Sequence, residues 1–262
     1  MRDTELNDLR VTLVQHALAW EDPEDNRRQF ESLLDAAAPE TDLVLLPEMF
    51  TTGFSMNALA NAEEPGGAAE QWMRAMARKH DCALGGSVAI RSEGQVFNRF
   101  LFVTPDITHH YDKRHLFRMA GEHKRYAMGD ERVVLEWRGW RIKPEVCYDL
   151  RFPVFSRNRN DYDLLLFVAN WPAPRAMHWR TLLRARAIEN LAAVVGVNRI
   201  GSDANGLSYS GDSLAVDARG ELVADLEDRE ALETVILDGA ALQAYREAFP
   251  AHLDADDFHL EL

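Results

Sequence analysis

The chain predicts an α/β fold in which mixed sheets pack face to face with helices outside, and three observations carry that prediction. Two continuous apolar runs, Leu43-Val44-Leu45-Leu46 after Asp42 and Leu164-Leu165-Leu166-Phe167-Val168 after Tyr162-Asp163, have the pattern of strands covered on both faces. Three segments, 23–38, 68–80 and 178–190, carry apolar residues at helical spacing. Short turns such as Arg91-Ser92-Glu93-Gly94 and Arg138-Gly139 join neighbouring strands into hairpins, so the sheets cannot be purely parallel.

The elements follow in order. Leu9 to Gln15 alternates as a strand, and the helix from Pro23 presents Phe30, Leu33, Leu34 and Ala37. The Asp42–Leu46 strand stops at Pro47, leaving Glu48 at its carboxyl end. Thr51 to Asn61 reads as a loop, and the helix from Ala68 has Trp72, Met73 and Met76 for one face. Strands are expected at 83–90, 96–103 and 108–111, the last running up to Lys113, and at 133–137 and 140–146, ending at Cys147. A helix near 152–159 leads to the second apolar run, which ends in Asn170-Trp171-Pro172 and echoes the run ending at Glu48, a hint of two similar halves. The helix from His178 should face the sheet with Trp179, Leu182, Leu183 and Ile188. A strand at 193–198, a loop at 201–206, a hairpin of 213–217 with 221–226 and a last strand at 234–237 complete the list. Phe258, Leu260 and Leu262 in the acidic tail are candidates for docking on a neighbour. No linker or composition shift interrupts residues 1–262, which therefore read as one domain.

With 47% hydrophobic residues the chain can build a substantial core. Its 43 acidic against 29 basic residues, a net charge of −14, repel nucleic acid and anionic membranes, which favours a small-molecule or protein partner. The densest basic stretch, Lys113 to Arg125, is interrupted by Leu116, Phe117, Met119 and Glu122, as in a loop that lines a site. The start from Met1 to Asp8 lacks the apolar core of a signal peptide, and no apolar run has the length of a membrane span. Cys82 and Cys147 form neither a disulfide framework nor a zinc spacing, and His109, His110, His115 and His123 lack a regular ligand spacing, so no metal is expected and cytoplasm is the expected setting. Cys82 reads as a core residue.

A carboxylate, a lysine and a cysteine each follow a strand: Glu48, Lys113 and Cys147. A lone cysteine is ordinarily a small buried hydrophobe. Cys147, however, precedes Asp149 and an expected helix start, where the helix dipole would favour the thiolate.

Leu45-Leu46-Pro47-Glu48-Met49-Phe50, Tyr111-Asp112-Lys113-Arg114-His115-Leu116-Phe117 and Val146-Cys147-Tyr148-Asp149-Leu150-Arg151-Phe152-Pro153 resemble, in that order, the glutamate, lysine and nucleophile motifs of the nitrilase (carbon-nitrogen hydrolase) superfamily. The resemblance covers almost the whole chain, with Glu122 where the family carries a second glutamate and 184–190 like its late helix. It implies a four-layer α-β-β-α sandwich with two mixed β-sheets packed face to face, no cofactor, and association as a homodimer or higher homo-oligomer. It also implies Glu48 as proton shuttle, Cys147 as nucleophile, Lys113 and the backbone N–H of Tyr148 as oxyanion donors, and Glu122 orienting Lys113 or the leaving amine. The stretches 113–123 and 147–153 look most like the omega-amidase branch, which hydrolyses the terminal amide of α-keto acids such as 2-oxoglutaramate and 2-oxosuccinamate. An anionic substrate end calls for cations, so Arg118, Arg151, Arg175 and His178 are candidates, with Asn170 and Trp171 shaping the pocket. Another branch, acting on nitriles, carbamoylated amines or aliphatic amides, shares the triad. A non-catalytic binding protein of the same fold is the alternative from a different class.

Overall fold

The computed structural model describes residues 5–261, so Met1 to Thr4 and Leu262 lie outside the description. In chain order the elements are β1 (Leu9–Gln15), α1 (Pro23–Ala37), β2 (Leu43–Leu45), α2 (Ala58–Asn61), α3 (Ala68–His80), β3 (Ala83–Ser92), β4 (Gln95–Val103) and β5 (Thr108–Asp112). There follow β6 (Leu135–Trp137), β7 (Trp140–Val146), α4 (Pro153–Ser156), β8 (Leu164–Ala169), α5 (Ala176–Asn190), β9 (Ala193–Asn198), β10 (Ile200–Ser202) and β11 (Ser208–Ser210). The chain closes with β12 (Leu214–Val216), β13 (Leu222–Asp225), β14 (Ala231–Leu237) and α6 (Gly239–Ala248).

Among the described residues the strands form two six-stranded sheets, ordered β14-β1-β2-β3-β4-β5 and β13-β12-β9-β8-β7-β6, beside the small β10-β11 pair. Each sheet has the same pattern, two parallel pairings flanked by antiparallel ones, so β1-β2-β3 corresponds to β7-β8-β9. The echo between the two apolar runs is this correspondence. Asp42 and Asp163 precede the matching strands and make the same bonds: the Arg10 N–H donates to Asp42 at 2.9 Å and the Arg141 N–H to Asp163 at 3.0 Å.

The apolar pattern decides which face each strand buries. Leu43 and Leu45 join Leu164, Leu166 and Ile142 in the core between the sheets, while Val44 and Leu46 pack under α1 and α3 with Phe30, Leu34 and Met73. On the far side, α5 lays Trp179, Leu183 and Ala187 over the second sheet. The result is four layers, helix, sheet, sheet, helix. Pro144 sits within β7 yet breaks nothing, because β6 begins only at Leu135, opposite Ile142, and β7 has no antiparallel neighbour beyond that point.

Several expectations need correction. The helix near 152–159 is a single tight turn from Cys147 to Arg151 and the four-residue α4, since Pro153 and the glycine-free but polar 156–161 segment give no longer apolar face. Ile188 is 52% exposed because the helix turns it away from the sheet, and Ala187 takes its place. The 201–206 loop is the turn of the β10-β11 hairpin, part of 51–61 forms α2, and α6 was not anticipated. Leu260 packs on the chain's own core and Phe258 lies under the Arg159 guanidinium, 4.8 Å from its ring centre; Leu262 lies outside the described residues. Cys82 is fully buried, and burial pushes its thiol up to about 12. Among the described residues no helix is long and apolar enough to cross a membrane.

Gly196 in β9 is where α5 comes closest: a Cβ there would stand 2.6 Å from Leu183 Cδ1 and 2.8 Å from Trp179 Cζ2. Gly196→Ala should therefore lower unfolding free energy by about 1–3 kcal/mol through overpacking, read from the urea midpoint; an unchanged midpoint would mean that α5 gives way freely.

Candidate active site

The site collects the carboxyl ends of strands from both sheets, where open α/β folds leave backbone and side chains unpaired. β2 delivers Glu48, β5 delivers Lys113, β7 delivers Cys147 and β8 delivers Asn170. Glu48, Lys113 and Glu122 are all fully buried. Two residues at these ends adopt the left-handed region that side chains avoid, Met49 (φ 46°) just after Glu48 and Cys147 itself (φ 48°). Such backbone costs about 1–2 kcal/mol per residue, and its use at both places turns the chain sharply just where functional side chains must project.

Lys113 is the centre of the cluster. Its Nζ donates to Glu48 Oε1 at 2.8 Å and to both Glu122 oxygens at 3.1 Å, and it lies 5.1 Å from the centre of the Phe54 ring. Asn98, fully buried in the middle of β4, donates Nδ2 to Glu48 Oε1 at 2.8 Å and to Glu122 Oε1 at 3.3 Å. Asn170 completes the cradle with its backbone N–H on Glu48 Oε2 at 2.8 Å and its Nδ2 on the Glu48 carbonyl. Glu122 is anchored to its own loop by the Phe117 N–H at 2.6 Å.

A second buried carboxylate, Asp149, ties the lysine segment to the cysteine segment. It accepts from the Val146 N–H at 2.9 Å, the Tyr111 hydroxyl at 2.8 Å, the His115 N–H at 2.9 Å and His115 Nδ1 at 2.8 Å. Tyr111 and His115 bracket Lys113 by two residues on either side, so this one side chain fixes where Lys113 stands relative to Cys147. Asp149 is therefore a first-turn residue of the tight 147–151 turn, where it accepts from the Val146 N–H, and at the same time a cross-link to the lysine segment.

Electrostatics run against the expectation of a thiolate. Burial pushes the Cys147 thiol well above its ordinary value of 9.0, and Glu48, both as a charge and as a hydrogen-bond partner, adds to this against the opposing pull of Lys113. No long helix follows to offset it. Burial opposes the Lys113 ammonium, yet the flanking Glu122 and Glu48 carboxylates outweigh it and hold Lys113 above the usual lysine range. Burial raises Glu122, with Lys113 pulling the other way. The resting arrangement is a neutral thiol beside a carboxylate and a locked ammonium.

Cys147 opens onto a cavity that Tyr148, Arg151, Asn170, Trp171 and Arg175 also line, with Phe54, Phe117 and Tyr209 supplying aromatic walls. The Arg151 guanidinium lies 4.8 Å from the Trp171 ring centre and donates to His178 Nδ1 at 3.0 Å; Arg175 lies 5.4 Å from the Phe117 ring centre. Trp171, buried to 3% exposure, donates its indole N–H to the Arg175 carbonyl at 2.8 Å, so it is both core and wall. Arg118 is exposed and does not line the cavity, because the tight turn at 118–120 directs it outward; His178 is exposed and reaches the site only through Arg151.

Sequence reasoning overlooked Asn98 and the linking role of Asp149. Asn98 had a signal, a polar amide in step with Val96 and Phe100 on the alternating face that the strand buries. Tyr209 had none, because it falls between the loop read at 201–206 and the hairpin expected from 213, where no element was assigned.

Glu48, Lys113 and Cys147 at strand ends and Glu122 from the loop after β5 thus line one site in a four-layer sandwich, and the class of protein that carries this arrangement is the carbon–nitrogen hydrolases. The chain belongs to the carbon-nitrogen hydrolase family, whose sequence profile matches residues 10–247. It is 54% identical to the omega-amidase YafV of Yersinia enterocolitica, over 97% of this chain and all of the relative, and 31% identical to a 2-oxoglutaramate amidase of Bacillus subtilis, over 93% and 96%. Among solved structures it is similar to XC1258 of Xanthomonas campestris, a protein of the same superfamily with an arsenic adduct in its active site, with a TM-score of 0.95 and 51% identity over 97% of this chain and 99% of that one.

A protonated resting thiol is directly observable. The difference in thiolate ultraviolet absorbance between the wild type and Cys147→Ser should show no step up to pH 9.0, the ordinary thiol value; a step at lower pH would show that Lys113 outweighs burial.

Proposed function

We propose that the protein hydrolyses the terminal carboxamide of short α-keto acid amides such as 2-oxoglutaramate and 2-oxosuccinamate, through a thioester on Cys147. The observation that carries the substrate class is the pair of cavity guanidiniums, Arg151 and Arg175, neither of which pairs with a carboxylate among the described residues. In a chain of net charge −14, two uncommitted cations beside the cysteine fit a ligand with a carboxylate at one end. The names of the Yersinia and Bacillus relatives support the same reading.

The geometry supports the following course of reaction. Glu48 accepts the thiol proton as Sγ forms its bond to the amide carbon, and charge moves onto the carbonyl oxygen, where Lys113 and the Tyr148 N–H would hold it. Collapse breaks the C–N bond, Glu48 returns its proton to nitrogen, and ammonia leaves with the acyl group on sulfur. Water then gives a proton to Glu48 and its oxygen to the thioester carbon, and the second collapse returns that proton to sulfur as the acid departs. Glu122 takes no proton; it shares Lys113 with Glu48 and keeps the ammonium pointed inward.

Cys147→Ser should lose nearly all turnover, because a carboxylate cannot ionise an alcohol; substantial activity would remove Cys147 from the nucleophile's role. With a panel of amides, 2-oxosuccinamate should release ammonia far faster than uncharged aliphatic amides, and nitrile hydrolysis in its absence would sink the substrate assignment. Replacing Arg151 or Arg175 by Met removes a charge-assisted hydrogen bond to the substrate carboxylate, an effect of roughly ten- to hundredfold in kcat/KM. Most of that loss should appear in KM, and uncharged amides should be unaffected.

A further inference from the structure

Asn170 holds an oxygen for which no described residue supplies a donor. Its Nδ2 faces the Glu48 carbonyl and its backbone N–H meets Glu48 Oε2 at 2.8 Å. Only a donor can face a carbonyl oxygen, so the side-chain amide has one allowed orientation and Oδ1 is directed elsewhere. That Oδ1 is buried and has no hydrogen-bond donor among the described residues, although Asn170, at 4% exposure, forms part of the wall of the cavity that Cys147 lines. Asn98 Oδ1 is unpaired as well, but Asn98 does not line that cavity. A buried acceptor left unpaired is costly, and a ligand that brings a donor recovers the cost.

We propose that Asn170 Oδ1 accepts an N–H of the substrate's carboxamide, which makes Asn170 the residue that distinguishes an amide from an isosteric group without N–H. The inference rests on the amidase reading above and adds the specificity element to it. A primary carboxamide carries two N–H donors on the group that leaves. One of them bound to Oδ1 would place the nitrogen beside Glu48, which Asn170 itself positions, and would turn the lone pair toward the proton that Glu48 returns. The acid product has lost those donors and offers an anionic oxygen to Oδ1, so the same atom that favours substrate disfavours product.

The test uses Cys147→Ala protein, which cannot turn over, and two ligands of equal shape: succinamate, and 4-oxopentanoate, in which methyl replaces the amide NH2. Calorimetry should show that Asn170→Ala in this background weakens succinamate about tenfold and changes 4-oxopentanoate less than about twofold. Equal losses for both ligands, the result if Asn170 only positions Glu48, overturn the proposal, as does no loss for either. Asn170→Ser gives the same comparison should the alanine variant fail to fold, which circular dichroism reports. Wild-type turnover separates the two levels of inference: release of ammonia from succinamate together with equal losses sinks the Asn170 role alone. Neither turnover by the wild type nor binding to Cys147→Ala sinks the amidase reading and the Asn170 role with it.

Discussion

A single ammonium, Lys113, held between two buried carboxylates is the interaction on which the site depends. Removing any of the three charges from water is costly, and leaving one unpaired within the protein costs about 3–5 kcal/mol. Lys113 is therefore compensated on two sides, by Glu48 and Glu122, and the carboxylates in turn are compensated by Asn98, Asn170 and the Phe117 N–H. The cluster spans four separate segments of chain. Its members can be satisfied only when both sheets, the 117–122 loop and the β8 end are all in place, so the polar cluster specifies one arrangement of the sandwich as well as a reactive centre.

The repeated sheet pattern explains how that convergence is achieved. Two halves, each with three parallel-paired strands in the same order, face each other across one apolar core, so the carboxyl ends of β2 and β8 lie side by side. Glu48 and Asn170 leave those two matching ends and bond directly. The direct bond is the two halves' meeting point at the site, and it holds Glu48 from one sheet next to Cys147 from the other.

Much of this was legible in the sequence because it follows from short-range pattern. The apolar runs at Leu43 and Leu164 set the buried strands, and the ends of those runs located Glu48 and Asn170. Lys113 and Cys147 also follow expected strands, but it was their resemblance to the family's lysine and nucleophile motifs that singled them out. What was not legible depends on long-range pairing. Asp149 could be read as a first-turn residue but not as a cross-link, because its partners Tyr111 and His115 stand 38 and 34 residues away in the chain. The local pattern shows only that Asn98 is buried, not what it bonds, since its partners Glu48 and Glu122 are 50 and 24 residues distant. The helix after Cys147 failed for a different reason: Asp149 and Pro153 both suit a helix start, but Asp149 is spent on the cross-link and the segment closes as a tight turn instead.

The raised thiol at first looks like an obstacle to catalysis, since a nucleophile should be ionised. The charge balance of the buried cluster argues the opposite. In the resting state the cluster holds the Lys113 ammonium, the Glu48 carboxylate, Glu122 and a neutral thiol. In the proposed tetrahedral intermediate it holds the same ammonium, a protonated Glu48, the same Glu122 and an oxyanion. Whichever protonation state Glu122 keeps, the total is unchanged; one negative charge has moved from Glu48 to the substrate oxygen. A preformed thiolate would instead add a second anion next to Glu48 in the resting enzyme, and burial would penalise it before any substrate arrived. Keeping the proton on sulfur until the carbon–sulfur bond forms means that the site never has to create charge, only to relocate it around Lys113, and a fixed ammonium needs no reorganisation to follow that shift.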